Sequence, residues 1–427
     1  MEVRYEDCSI IAEGKTKVIR KSLVDDRFAI LEAKDDITAG DGAKHDVIAG
    51  KAELATTTTC NVFKLLRDCE IPVAFRKQLG AISFLADRCK MLPYEVVVRR
   101  EAHGSFLKRH PHITKGHVFP QLILEFFLKT KNREWNGQPI PKDDPLVHFW
   151  GNEALLYLPD VPLHGQESFL TLHYGPDIHE LLAKMGNIAK RSFLVLEKAW
   201  QLIGGRLVDF KVEFGLTAAT ECLLLADVID NDSWRLIEDG RYLDKQVYRE
   251  GAPLNVVTEN YQRVAELTKQ FSLPYQQVVL WRGSEKDDLT VFRKALGEYQ
   301  DEKLTVIEHT RSLHKEPVCA CRELVRLAQE VPDTVIIAYV GRSNGAGPTL
   351  AANTCVPVIT VPANWKEFPR DVWSSLRAPS DVPVLTVLDP ANAVLAALQI
   401  LAMRNPRLYA LLRIRQEERF VNVVVLT

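Results

Sequence analysis

The sequence predicts two domains of different class: an α+β domain over residues 1–260, and an α/β domain on a parallel sheet over residues 276–427, joined by a helix and linker at 261–275. Three observations carry this. A chain of 427 residues exceeds the size at which one core stops growing. Up to about residue 260, short strands, turns and a few helices follow in no strict alternation. From Gln276 onward the apolar runs Val278 to Trp281, Leu304 to Ile307, Val335 to Val340, Val356 to Val361 and Val384 to Leu388 alternate regularly with helical stretches.

The first block opens with EGKTKVIR, Glu13 to Arg20, in which glycine and two lysines stand at an expected hairpin turn, able to cover a polyphosphate with amides and ammonium groups. KDDITAGDGAKHDVIAGKA, Lys34 to Ala52, holds two glycine-containing turns that either present Asp36 and Lys44 to a ligand or form a plain surface loop. In VVVRREAHGSFLKRHP, Val96 to Pro111, a strand delivers Arg99 and Arg100, and Gly104-Ser105 opens a helix carrying Lys108 and Arg109. Guanidinium, hydroxyl and helix N-terminus would meet there on one phosphate or carboxylate; the competing reading is a basic, solvated helix start. The Pro-, Gly- and Asn-rich stretch near Asn132 to Pro162 reads as loop.

LVDFKVEFG, Leu207 to Gly215, is the sharpest segment. Alternation in a strand puts Asp209, Lys211 and Glu213 on one face and Val208, Phe210, Val212 and Phe214 on the other. A second apolar run, Glu221 to Ile229, follows a short turn, so pairing would bring Asp227 toward the Asp209/Glu213 edge. Three carboxylates and a lysine then converge, which suits a magnesium nucleotide, since magnesium takes hard oxygen ligands and an ammonium faces phosphate. A solvated hairpin with cross-strand ion pairs would show the same residues. Glu259 to Gln270 fits an amphipathic connecting helix, with the boundary near Phe271 to Tyr275.

A formal net charge of -2, with both signs interspersed, argues against a nucleic-acid protein held by bulk electrostatics and for small-molecule substrates. Eight scattered cysteines show neither zinc spacing nor a disulfide framework, and no apolar run reaches membrane-spanning length. A cytoplasmic, membrane-free protein is expected.

In the second block, three consecutive strands run into RGSEKDD, EHTRSLHK and GRSNGAGP, loops that would share the carboxyl-end rim where open α/β sheets bind ligands. Ser284 and Ser343 can bond phosphate beside the amides of the Gly283, Gly341 and Gly345 turns. Asp287 and His314 are candidate proton-transfer groups, although a lone histidine at a helix start also serves as a cap.

EGKTK, KDDITAGDG, VVRREAHGSFLKR, LVDFKVEFG and LADVIDNDSWRL, in that order, resemble the phosphoribosylaminoimidazole-succinocarboxamide synthase (SAICAR synthetase) family over roughly residues 8 to 250. The resemblance implies Lys15 and Lys17 at the ATP phosphates, Glu213 and Asp227 at Mg2+, Asp209 and Lys211 beside the reacting groups, and Glu95, Arg99, Ser105, Asp232 and Arg235 around the ribotide. It also implies the reaction: ATP phosphorylates the carboxylate of carboxyaminoimidazole ribotide (CAIR), and the amine of L-aspartate attacks the acyl phosphate to give an amide. No protein nucleophile is needed, and no nucleophile elbow or Cys/His pair is evident.

GSEKD, SLH and GRSNGAGP resemble the AIR carboxylase family, with a three-layer, flavodoxin-like α/β fold that implies Arg342, Ser343 and Asn344 at the mononucleotide. The whole chain is thus similar to the fused, animal-type enzymes that carboxylate aminoimidazole ribotide (AIR) with CO2, needing no cofactor there, and pass the product to the synthetase. The pattern departs at Leu313 for alanine, Ala352 for glycine and Val361 for cysteine, and a leucine where a ligand packs would overfill the site. Two rivals follow: an active synthetase whose C-terminal domain serves only oligomer assembly, and a regulatory protein that holds ATP without turnover. Members of this carboxylase type form octameric cores, so a homo-octamer through the C-terminal domain is implied.

Overall fold

The computed structural model describes residues 8–22, 25–39, 44–142, 144–175, 177–218, 220–341 and 345–419. The expected phosphate-loop residues Arg342, Ser343 and Asn344 lie outside them. The chain divides into two units, Met1–Ser272 with Arg413–Thr427, and Leu273–Leu412.

The first unit is α+β. Its five-stranded antiparallel sheet runs, in spatial order, Cys8–Glu13, Lys17–Ser22, Phe28–Ala33, Ser83–Asp87 and Phe75–Gln78. The first two strands are joined by the glycine-lysine turn, closed by Gly14 N–H donating to Lys17 O at 2.8 Å. A nine-stranded sheet has Cys89–Glu101 and Arg206–Thr217 at its centre, with Val118–Leu128 outside the former and Trp234–Glu238 and Leu223–Ala226 on the latter. Val208, Phe210, Val212 and Phe214 are buried, as the alternation requires, and Phe210 meets Phe193 edge-on with ring centroids 5.4 Å apart. Phe193 lies on the long helix Ile178–Leu202, whose buried Leu182, Met185, Ala189, Leu196 and Trp200 recur at helical spacing.

Two local expectations are corrected. The stretch read as loop contains a hairpin, Leu146–Trp150 paired antiparallel with Glu153–Tyr157. Leu146, Val147, Ala154 and Leu156 are buried on it, and Gly151 takes the turn at φ 54°. Flanking proline and asparagine hid an apolar hairpin too short to dominate the local composition. The helix expected from Glu259 starts at Leu254, ends at Thr268 and packs on helix Lys51–Asp68 within the first unit, burying Val257, Tyr261 and Val264.

The second unit is a three-layer α/β fold. Its parallel sheet has the order Leu304–Thr310, Gln276–Arg282, Thr334–Val340, Val358–Pro362, Leu385–Thr386, which is 2-1-3-4-5 in chain order. Alternation serves two cores at once. Val278, Leu280, Val335 and Ile337 face Leu289, Phe292 and the helix Pro390–Ala402. Val279, Trp281, Ile336 and Ala338 face the helices Pro317–Glu330 and Ala346–Ala352. Leu313 and Val361, two of the departures from the family pattern, are buried in these apolar clusters. Gly347 lets helix Ala346–Ala352 close on its strand: a Cβ there would lie 1.9 Å from Thr360 Cγ2.

Candidate active site in the first unit and the strand-end loops of the second

Register builds the first site. Across Arg206–Thr217, Asp209 faces Arg99 on one neighbouring strand and Arg235 on the other, while Glu213 stands opposite Glu95 and Ala226. Asp227 follows directly, with a left-handed backbone at φ 67° that asparagine, aspartate and glycine tolerate best.

A cleft of about 570 Å³ collects three lysine–carboxylate pairs. Lys17 pairs with Asp227, Lys129 Nζ lies 2.7 Å from Glu213, and Lys211 Nζ donates to Glu95 at 2.6 Å. Burial and the neighbouring Asp227 push the Glu213 carboxyl up, against Lys129. Burial would push Asp227 up as well, but Lys17, with Lys129 and Lys211 behind it, holds it below the usual carboxylate range. Burial acts against the charge of Lys211, yet Glu95, Glu213 and Asp227 raise it above the ordinary lysine value. Lys15 is exposed at the same cleft. Asp232 also lines it, held by Lys245 at 2.8 Å and by the Tyr261 hydroxyl; although burial opposes its ionisation, Lys245 and Lys51 bring its carboxyl down to about 2.

Asp209 does not join that carboxylate cluster. It accepts from Arg99 Nη1 and Arg235 Nη1, each at 2.6 Å, because its cross-strand neighbours on both sides are arginines. Arg99 also donates from Nε to Glu125 at 2.7 Å, and Glu125 takes Arg109 Nη2 at 2.5 Å. The five groups form one chain, buried at every member except half-buried Arg235. Half-buried Ser105 opens helix Ser105–Arg109. Before it, Gly104 at φ 60° and ψ -133° passes so close to Arg235 that a Cβ would lie 2.1 Å from Nη2. Arg100 leaves this group and pairs with Glu197 at 2.7 Å.

Asp36 and Lys44, the alternative ligand contacts, are occupied structurally. Asp36 meets His45 at 2.7 Å, and Lys44 donates to Tyr248 O at 3.0 Å while lying over its ring. Sequence reasoning passed over Lys51, Lys129, Asp230 and Lys245, all in the cleft. Lys129 carried a readable signal, as the charge ending the apolar run LILEFFLK; Lys51 carried none, since a helix start is an ordinary place for lysine.

In the second unit, Asp287 ties two strand-end loops together. Its carboxylate accepts Ser284 N–H at 3.1 Å and the amides of Gly283 and Gly341, and burial raises its pKa despite those donors. The third loop joins through Arg311 N–H to Arg282 O at 2.9 Å and Trp281 Nε1 to Arg311 O at 3.0 Å. Ser284 and His314 are both exposed on these loops.

A family model described as SAICAR synthetase matches residues 10–155 and 159–268, and one described as AIR carboxylase matches residues 277–420. The chain is 35% identical over 430 residues to the "Probable multifunctional protein ADE2" of Caenorhabditis elegans, covering 98% of this chain and 96% of that one. It is 35% identical over 414 residues to the "Bifunctional phosphoribosylaminoimidazole carboxylase/phosphoribosylaminoimidazole succinocarboxamide synthetase" of Homo sapiens, covering 94% and 92%. Among solved structures, a SAICAR synthetase (Type-2) in complex with ADP aligns with a TM-score of 0.48 at 29% identity, over 60% of this chain and 96% of that one.

Proposed function

This chain belongs to the family of fused enzymes of purine biosynthesis that carry a SAICAR synthetase and an AIR carboxylase, and from that premise we propose how its own residues divide the two reactions. Membership favours a two-reaction enzyme over an ATP-holding regulator and over a synthetase on an inert platform, and ATP use comes with the synthetase family.

In the synthetase, Lys15 and Lys17 face the ATP phosphates. Mg2+ fits Glu213 and Asp227, because two mutually repelling, half-buried carboxylates gain from a divalent charge, and magnesium binds through one or two carboxylates plus substrate phosphates. Bound there, the ion neutralises charge on the phosphates. Lys211, kept charged by its carboxylates, stands over the transferring phosphoryl group, where positioning and electrostatics do most of the catalysis. Asp209 stands beside the reacting groups and orients Arg99 and Arg235, which bind the CAIR ribotide with Ser105, Glu95 and Asp232. L-Aspartate attacks the acyl phosphate, forming the amide and expelling phosphate.

In the carboxylase, AIR takes up CO2 without metal or cofactor. His314 carries the proton, Asp287 fixes the loops and shares in proton transfer, and Ser284 with Arg342, Ser343 and Asn344 holds the mononucleotide. The exposed apolar residues Trp373, Leu376 and Met403 of the second unit support a homo-octamer built through it. The spacing of the eight cysteines along the sequence, without a disulfide framework, supports a reducing, cytoplasmic setting.

The observation that carries the synthetase assignment is the set of three lysine–carboxylate pairs in one cleft. The test is spectroscopic: the purified chain is given AIR and CO2, then ATP and L-aspartate in the same cuvette. His314→Ala should abolish the first step and leave amide formation from supplied CAIR, and Lys211→Met should do the reverse. Loss of both steps in either folded variant overturns the division.

A further inference from the structure

A second cavity, about 610 Å³, opens in the first unit at the C-terminal end of helix Ser105–Arg109, and it shares no lining residue with the lysine–carboxylate cleft. His110, His112, His148 and His164 line it, with Tyr157 and Arg109, and its lining holds no carboxylate. We propose that this cavity is a further binding site of the first unit, taking a small oxyanion of the phosphate or dicarboxylate class.

The Arg109 side chain is fully buried. Nη1 donates to Pro159 O at 2.8 Å and Nη2 to Glu125, but Nε has no partner among the described residues. A buried guanidinium N–H without an acceptor costs stability and offers itself to an anion. The wall is already in place: Leu163 N–H donates to Arg109 O at 3.0 Å, and the Gln166 side chain accepts Leu158 N–H at 2.7 Å.

The surrounding charge has the same sign. Lys108 on the helix and Lys142 on the neighbouring loop share Asp160, at 3.9 and 2.6 Å, while Glu125 is already divided between Arg109 and Arg99. The rings are close, with His112 6.0 Å from His110 and Tyr157 5.0 Å from His148 between centroids. Burial first, and Arg109 with it, holds His110 and His148 below the usual imidazole range against the pull of Glu125. An entering anion reverses that balance, so anion and protons bind together and affinity rises as pH falls. A hard cation finds no oxygen ligands other than the Tyr157 hydroxyl, the Gln166 amide and backbone carbonyls on this lining.

The test uses the full wild-type chain. Carbethoxylation of individual histidines by diethylpyrocarbonate is timed by mass spectrometry with inorganic phosphate, with succinate, or with neither, near pH 6 and near pH 8. At an anion concentration about twice the dissociation constant, labelling of the exposed cavity histidines His112 and His164 should slow about threefold near pH 6, and less near pH 8. His173 and His179, exposed elsewhere, should keep their rates. Protection by phosphate alone assigns a phosphoryl ligand, and protection by succinate alone a dicarboxylate. Unchanged rates at His112 and His164 with both anions overturn the proposal. The His110→Gln/His148→Gln double variant should lose the protection; should it fail to fold, the wild-type measurement decides alone.

Discussion

At the scale of single residues, the cleft of the first unit keeps opposite charges adjacent. Lys211→Met removes the ammonium without disturbing the strand. We expect amide formation to fall at least about a hundredfold in kcat, with the ribotide KM changed by less than about threefold and carboxylation untouched, measured by steady-state kinetics of each half-reaction. Asp244 gives a pH prediction. Burial pushes its carboxyl up to about 7 even though it accepts Leu236 and Gln246 N–H groups at 2.8 and 2.7 Å. A carboxyl raised from 3.8 in this way contributes stability that is complete below about pH 4 and is lost as pH rises through about 7. Asp244→Asn should therefore flatten the fall in denaturant midpoint across that window. Single residues also mark where sequence reading stopped. Lys211, Glu213 and Asp227 were legible because strand alternation and one turn place them. Asp209 was misplaced, since its partner is chosen by the neighbouring strands, and Arg99 and Arg235 are 110 and 26 residues away in sequence.

At the scale of elements, close approach decides more than propensity. Gly104 has a backbone conformation open essentially to glycine alone and lies against Arg235. Gly104→Ala should cost about 1–3 kcal/mol of first-unit stability and raise the ribotide KM by displacing that guanidinium, checked by unfolding and kinetics together. Gly347→Ala should act on the other unit. Its Cβ would overlap the Thr360 methyl group, so the helix must leave its strand, at a cost of about 1–3 kcal/mol and with loss of carboxylation while amide formation persists. Strands of the second unit were readable from their apolar runs because a sheet covered on both faces writes itself as continuous hydrophobicity. The hairpin at Leu146–Trp150 and Glu153–Tyr157 was not, because a half-exposed pair among prolines leaves only a weak two-residue period.

At the scale of the whole molecule, two units with separate cores should respond separately to ligands. Calorimetry of the intact chain is expected to resolve two transitions. SAICAR at a hundred times its dissociation constant should stabilise one of them by about 2.7 kcal/mol and leave the other in place, and AIR should do the converse. A single transition moved by either ligand would mean that the units unfold together. The two-class architecture was legible from the change in texture near residue 270, because a core with open antiparallel strands and a core of βα units impose different periods on the chain. The chain of arginines and carboxylates through Glu125 was not, since no local pattern announces a charge that is neutralised on a neighbouring strand 26 residues away in sequence.

The left-handed backbone at Asp227 has a consequence for how such a gene drifts. Glycine, asparagine and aspartate occupy that conformation with little strain, and only one of the three bears a charge. A replacement by asparagine would leave the turn intact and keep an acceptor for Lys17 while removing the negative charge. On the role proposed for Asp227 at Mg2+, purifying selection at this codon acts through catalysis more than through folding, and a descendant could become inactive while still expressing as a well-formed protein.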